Sequence, residues 1–320
     1  MTKIYYDSDA NIDILKEKVI AIIGYGNQGR AQALNMRDSG VEKIIVGSIK
    51  DNSSHIAHED GFEVMSIGEA CKKANIIFML IPDEVAPKVY EQEIAPNLKA
   101  GDAVNFASGY NITKDLDIIM CAPRMIGQGV RELYEKGDGA PVFIAVEQDA
   151  TGNAKEVALA LAKAMGGTKK GAIEVTFKDE TYLDLTAEQA VWPLIMTVLT
   201  ETFKFQVEKG HPEEAVLMEL YLSKEPMVMM EKMSDMGLFK QLPFHSHTSQ
   251  YGQLTGFADT NKKAIREFIE KQYANIESGK FAETWKEELE NDLKDFKSRI
   301  AEAYNSDISK AEERVKSRLK

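Results

Sequence analysis

Val19-Ile-Ala-Ile-Ile-Gly24-Tyr-Gly26-Asn-Gln-Gly29 decides how the first half of the chain folds. Its apolar, largely β-branched start reads as a buried strand. The run passes straight into Gly-x-Gly-x-x-Gly, and Arg30-Ala-Gln-Ala-Leu34 continues at helical spacing. The first glycine permits a tight turn, the second lets backbone approach a pyrophosphate, and the third lets the helix pack on the strand. The helix N-terminus then offers unbonded N–H groups and a positive dipole end to the phosphates. A Gly-rich turn that merely packs tightly is the bland alternative. The strand before and the helix after make dinucleotide binding the expectation. Gly24, Tyr25, Gly26, Asn27, Gln28 and Gly29 are therefore candidate cofactor-binding residues.

Outward from this unit, short apolar runs recur at Lys43–Val46, Ile76–Leu80, Ala103–Phe106, Asp117–Met120 and Val142–Ala145. Amphipathic stretches at Ala31–Arg37, Ile67–Ala74 and Glu84–Val89 lie between several of them. Such alternation predicts an α/β fold, a Rossmann-like doubly wound parallel sheet with helices on both faces. Pro82 and Gly109 follow two of these strands and join the cofactor-binding set. From about Phe177 onward the pattern becomes helical at Leu185–Glu208, Pro212–Asp235 and Asn261–Gly279. An all-helical C-terminal domain is expected over residues 176–320, after a dinucleotide-binding domain over residues 1–175. Met218, Met227, Met229, Met230, Met233 and Met236 read as gap-filling core between helices. The Lys- and Glu-rich tail from Lys280 reads as solvated helix that frays at its end.

The tip of the second strand should read the adenosine ribose. An acid there favours NAD, whereas basic or hydroxyl groups favour a 2′-phosphate. The chain continues Gly47-Ser48-Ile49-Lys50-Asp51-Asn52-Ser53-Ser54. Ser48, Lys50, Ser53 and Ser54 suit NADP and Asp51 opposes it, so NADP is expected, with NAD as the alternative.

Composition narrows the function classes. A net charge of −12 argues against nucleic acid or an anionic membrane surface, both of which need a basic face. Two cysteines, Cys71 and Cys121, make neither a disulfide framework nor a zinc site and read as reduced core residues. No basic segment precedes an apolar stretch at the N-terminus, and no apolar run is long enough to span a bilayer. A cytoplasmic protein is expected.

Phe177-Lys-Asp-Glu-Thr-Tyr-Leu-Asp184-Leu-Thr-Ala-Glu188-Gln-Ala-Val opens the helical half. Asp184 and Glu188 are four apart and share a helix face. Paired carboxylates without a basic neighbour repel unless a cation lies between them, and hard oxygen ligands suit Mg²⁺. An acidic first turn favoured by the helix dipole is the alternative reading.

These segments together resemble the ketol-acid reductoisomerase family. The likeness is carried by Gly24–Gly29, Asn105-Phe-Ala-Ser-Gly-Tyr-Asn-Ile112, Ala122-Pro123, Val130-Arg-Glu132, Ala145–Ala154, Thr176–Thr181 and Asp184-Leu-Thr-Ala-Glu-Gln-Ala-Val191. The resemblance implies rearrangement and NADPH reduction of a 2-acetohydroxy acid in branched-chain amino-acid biosynthesis, assisted by one or two Mg²⁺ ions. It implies Asp184 and Glu188 as metal ligands, with Glu219 supplied by a partner subunit in a dimer built by the helical domain. It further implies Arg124, Glu180, Ser108 and Ser246 as active-site residues.

Several positions depart from the family pattern. Ser108 stands for His, Arg124 for Lys, Gln128 for His, Ser223 for the second Glu of a Glu-x-x-x-Glu pair, Gln250 for Glu and Ile49 for Arg. Losing carboxylates weakens a second Mg²⁺ site, and Arg replaces a point charge with a planar fork suited to a carboxylate. Three functional readings follow. One is NAD(P)H reduction of a small 2-keto acid or related compound with the isomerase step altered. The others are ordinary ketol-acid reductoisomerase activity and non-catalytic dinucleotide binding.

Overall fold

The computed structural model describes residues 2–106 and 115–318. Contacts divide the chain into Met1–Thr181 and Tyr182–Lys320. In the first unit, alternation along strand β2 (Ile20–Ile23) sends Ile20 and Ile22 into one apolar cluster and Ala21 and Ile23 into another. A strand buried on both faces belongs inside a sheet covered by helices on each side.

Around it stand β1 (Ile4–Tyr5), β3 (Ile44–Gly47), β4 (Glu63–Met65), β5 (Ile76–Met79), β6 (Ala103–Asn105), β7 (Asp117–Pro123), β8 (Val142–Gln148) and β9 (Ala172–Glu174). They form one sheet in the order β1-β9-β8-β7-β6-β5-β2-β3-β4. The run from β4 through β7 is parallel. One face is covered by α1 (Asn27–Asp38) and α6 (Ala154–Ala164), which contribute Ala33, Met36 and Leu161. The other is covered by α3 (Ile67–Lys73), which brings Ile67, Ala70 and Cys71. Helix α2 (Asn52–Glu59) follows β3, and α4 (Ala86–Val89) follows β5. Cys71 and Cys121 are both buried free thiols, and burial pushes the Cys71 thiol up to about 12.

The expected α/β architecture is present, but the sheet is mixed. β8 runs antiparallel to β7, and β1 antiparallel to β9. Helix α5 (Gly127–Glu135) packs on α1 and brings the chain back to the edge it left, so β8 starts opposite the end of β7. Three strands were not expected from the sequence: β1, β4 and β9. Each has two or three residues and lacks an apolar run, and their pairing comes from tertiary docking.

In the second unit, long helical patterns break at prolines. Helix α7 (Phe177–Thr186) continues into a π-helical turn at Ala187–Val191 before α8 (Trp192–Glu208). Pro193 lacks an N–H, and its ring crowds the carbonyl four residues back, so the ladder widens there. The stretch expected as one helix over Pro212–Asp235 is α9 (Glu213–Leu217), a π-helical turn at Met218–Leu222, and α10 (Glu225–Met236). Pro226 again stands just past the break, and Lys224 takes a left-handed conformation. Helices α11 (His247–Asp259), α12 (Lys262–Glu277), α13 (Lys280–Glu290), α14 (Lys294–Tyr304) and α15 (Asp307–Lys316) complete the unit.

Two expectations here need correction. The methionines do not form a core within the chain: α10 has no buried residue, and Met227, Met230 and Met236 are exposed. The tail does not fray within the described residues. Ala311 and Val315 of α15 are buried with Phe203, Val216 and Leu217, and Arg314 and Arg318 pair with Glu213 and Glu214.

α5 crosses α1 at backbone distance, so a Cβ on Gly127 would lie 2.2 Å from the Asn27 carbonyl oxygen. Gly127→Ala is expected to destabilise the first unit by about 1–3 kcal/mol. Thermal unfolding followed by circular dichroism should show a fall of roughly 2–10 °C.

Candidate active site

The first turn of α1 closes against two strand ends. Gly24 has φ +91°, and a Cβ there would meet the Leu80 carbonyl oxygen at 2.6 Å, just past the end of β5. A Cβ on Gly29 would lie 2.1 Å from the Gly24 carbonyl oxygen. Gly26 differs: an added Cβ would meet nothing within 4 Å. It is the N-cap of α1 and makes no side-chain capping bond, so no capping side chain competes for the first N–H groups of α1. β2 lies between β3 and β5, where the strand order reverses, which is where this fold class binds dinucleotides. Two glycines that must be glycine and a third beside an open space fit a pyrophosphate.

The structure also gives the surroundings of the other residues expected at the cofactor. Tyr25 is buried against Phe62, and its hydroxyl donates to Asp60 Oδ2 at 3.0 Å. Arg30 donates to both oxygens of the same carboxylate at 2.7 and 3.1 Å. The Arg30 bond holds Asp60 below the usual carboxylate range against the opposing effect of burial, and the Tyr25 bond adds to it. Burial first, then Asp60, pushes the Tyr25 phenol up. Gln28 donates to the Met125 carbonyl at 2.8 Å and accepts from Gln32, tying α1 to the loop after β7. Asn27 is exposed at the start of α1. Pro82 turns the chain after β5, its carbonyl accepting from Val85 and Ala86.

At the tip of β3, the Ser48 N–H donates to Met65 O, and Lys50 is exposed. Asp51 is the N-cap of α2, with Oδ1 accepting from the Ser54 N–H at 2.9 Å. The Ser54 hydroxyl donates to the Asp51 carbonyl and accepts from its N–H, and Ser53 is half-buried beside it. Ser108 and Gly109 lie outside the described residues.

Arg124 follows β7 on the C-terminal edge of the parallel strands. Its N–H is fixed to Pro141 O at 2.8 Å. The guanidinium lies 4.7 Å from the centre of the Phe143 ring, and Nη1 donates to Glu180 Oε1 at 2.7 Å. Glu180 is 6% exposed. It sits in the first turn of α7, which Thr176 and Asp179 start by bonding reciprocally to each other. A planar cation stacked on a ring and held by a buried carboxylate has a fixed orientation.

In the second unit, Asp184 is half-buried, and Glu188 is exposed on the π-helical turn Ala187–Val191. Glu219 is exposed on the other π-helical turn, Met218–Leu222. Among the described residues no three His, Cys, Asp or Glu side chains gather to hold a metal ion, so one chain does not bring these three carboxylates together. Ser246 is the N-cap of α11 and accepts from the Ser249 N–H at 3.2 Å. Among the described residues no helix is long and apolar enough to cross a membrane.

Residues 14–171 match the family model described as acetohydroxy acid isomeroreductase, NADPH-binding domain, and residues 177–320 match ketol-acid reductoisomerase, C-terminal domain. The chain belongs to the ketol-acid reductoisomerase family of NAD(P)-dependent oxidoreductases. Ketol-acid reductoisomerase (NADP(+)) of Pyrococcus abyssi is 43% identical over 293 residues, covering 89% of this chain and 88% of that protein. The protein of the same description from Pyrobaculum aerophilum is 40% identical and covers 100% and 99%. The structure of an NADH-preferring ketol-acid reductoisomerase from an uncultured archaean superposes with a TM-score of 0.92 at 33% identity, covering 99% of both chains.

Some residues that hold these groups in place were not read from the sequence. Asp60 in an Asp-Gly turn and Phe143 within a strand run carry no local mark of their roles beneath Tyr25 and Arg124. Gly127 lies outside any recognised glycine motif.

Gly26→Ala should leave unfolding stability within about 0.5 kcal/mol, since the site is open and the backbone extended. It should weaken dinucleotide binding at least about tenfold by calorimetry. Gly29→Ala should instead lower stability. Because the folded-state pKa of Asp60 is depressed, its contribution is complete above the ordinary carboxylate range and is lost as pH falls through the lower folded value. Arg30 is half exposed, so Asp60→Asn should flatten the acid limb of stability against pH by only about 1 kcal/mol.

Proposed function

We propose that this chain reduces a small 2-keto acid, or a closely related carbonyl compound, with hydride from NAD(P)H. The observation that carries the reading is Arg124, stacked on Phe143 and held by buried Glu180. It stands on the same strand edge as the glycine cradle. A fixed guanidinium suits a planar carboxylate, and a 2-keto acid carries one beside its reducible carbon. Arg124 would bind that carboxylate, and Glu180 would set the plane of the fork. The cradle would hold the pyrophosphate and so fix the reach of the nicotinamide, which makes hydride transfer a matter of positioning.

Mg²⁺ would be held by Asp184 and Glu188, with Glu219 from a second copy, since one chain does not group them. When bound, Mg²⁺ supplies Lewis-acid polarisation of a substrate oxygen. The family's second acid at Ser223 is absent, which favours reduction over an alkyl shift that needs two ions. Ser108 and Ser246 would line the substrate space. Residues 1–175 would bind the dinucleotide, and residues 176–320 would carry metal, substrate and dimer contacts.

Support for a homodimer comes from the apolar surface of the helical unit. Trp192 is 54% exposed, with Met196, Val198 and Phe205 exposed on the same helix, and Tyr251, Leu254 and Phe257 exposed on α11. An isolated surface of that kind needs a cover. The acidic balance disfavours nucleic acid and membrane partners, and cytoplasm is the proposed compartment. Ordinary ketol-acid reductoisomerase activity is the second reading, favoured by 40–43% identity to proteins of that description.

Oxidation of NAD(P)H is expected with 2-keto acids, and little is expected with 2-acetolactate and Mg²⁺. Full turnover of 2-acetolactate, with none of any 2-keto acid, would establish the second reading instead. Arg124→Ala should lower kcat/KM for the keto acid at least about a hundredfold, the ~3 kcal/mol of a lost charged contact. Light scattering should give twice the 35.7 kDa chain mass, and a monomer would remove the shared metal site.

A further inference from the structure

Helix α15 is fastened along its length to the short helix that leads to Glu219. We infer that α15 aims Glu219 outward through the bond between Glu312 and Tyr221, which makes Tyr221 and Glu312 positioning residues for a metal that neither would touch. The inference rests on the proposed reading of Glu219 as a Mg²⁺ ligand.

Helix α9 has 5 residues and runs on into the π-helical turn Met218–Leu222. So short a helix has little stability of its own, and packing must set its direction. Leu217 and Tyr221 are four apart and share a helix face. Leu217 is buried with Ala311 and Val315 of α15 and with Phe203 of α8. Tyr221 packs against the same cluster, and its hydroxyl donates to Glu312 Oε1. At the start of α9, Arg314 donates to Glu213 Oε2 and Arg318 to Glu214 Oε1. These two ion pairs lie at the surface and hold register more than they add stability.

Ala215 and Glu219 are also four apart, on another face, and both are exposed. Residues two apart point to different sides of a helix, so holding Tyr221 against α15 turns Glu219 away from it. Apolar packing is non-directional and would let the turn rotate about its axis. The Tyr221 hydroxyl bond is directional and fixes that rotation. Among the described residues Glu219 makes no hydrogen bond or ion pair, whereas Glu213, Glu214 and Glu312 are all engaged. The clamp therefore uses the acids that face α15 and leaves Glu219 free to bind.

The test is calorimetric titration of the full chain with MgCl₂, with thermal unfolding in the absence of Mg²⁺ to show that each variant is folded. Tyr221→Phe and Glu312→Ala should each weaken Mg²⁺ binding about fivefold, because loss of one hydrogen bond reduces the fraction of chains with Glu219 correctly aimed. Glu312→Gln keeps an acceptor oxygen and should return the affinity to within about twofold of native. Should Tyr221→Phe unfold, Glu312→Ala against Glu312→Gln carries the same comparison. Tyr221→Phe placed in a Glu219→Gln background should have no further effect, because the clamp acts through Glu219. Native affinity in both Tyr221→Phe and Glu312→Ala would overturn the inference, as would an equal loss in the Glu219→Gln background. If the native chain binds no Mg²⁺, or Glu219→Gln by itself changes nothing, the metal reading fails and this inference goes with it.

Discussion

The contact between the Gly24 carbonyl and the backbone of Gly29 sets the geometry on which the site depends. It lets α1 begin directly above the end of β2 instead of standing off by the width of a side chain. Gly24 in turn presses against Leu80 past the end of β5, so both strands at the reversal point share one close-packed corner. Gly26, between them, is left open. A side chain added at Gly26 would meet nothing within 4 Å, so the backbone at the start of α1 can be approached closely. The same economy recurs at Gly127, where α5 meets α1 and carries the Arg124 loop close to the cradle.

Electrostatics around this corner are local and mostly paired. Asp60 gathers Tyr25 and Arg30, so a residue inside the glycine motif is anchored by a carboxylate far along the chain. Glu180 does the same for Arg124 from the start of α7. A buried carboxylate is costly without its partner, so such pairs do more to hold an orientation than to add stability. Arg at this position therefore has consequences that the change of one basic residue for another would not by itself imply.

The helical unit is organised by a different constraint. Its hydrogen-bond ladder is interrupted ahead of Pro193 and Pro226, and the wider turns at Ala187–Val191 and Met218–Leu222 carry Glu188 and Glu219. Widened turns of this kind often mark functional positions. The unit's buried cluster among the described residues centres on Phe203, Val216, Leu217, Ala311 and Val315. Many larger apolar side chains face outward instead.

Local chemistry was enough to read the strand–glycine–helix unit, the α/β order of the first half and the helical second half. Each is a matter of periodicity, turn residues or spacing within one segment, where near neighbours decide the backbone. The antiparallel turn of β8, the edge strands β1, β4 and β9, the exposed methionines of α10 and the docking of α15 were settled only by packing between distant segments. The roles of Tyr25, Gln28 and Ser54 belong to the same class, because a hydrogen-bonding side chain is claimed by whichever partner the fold brings within about 3 Å. Sequence names the groups able to bind a ligand; the tertiary structure decides which of them are already occupied.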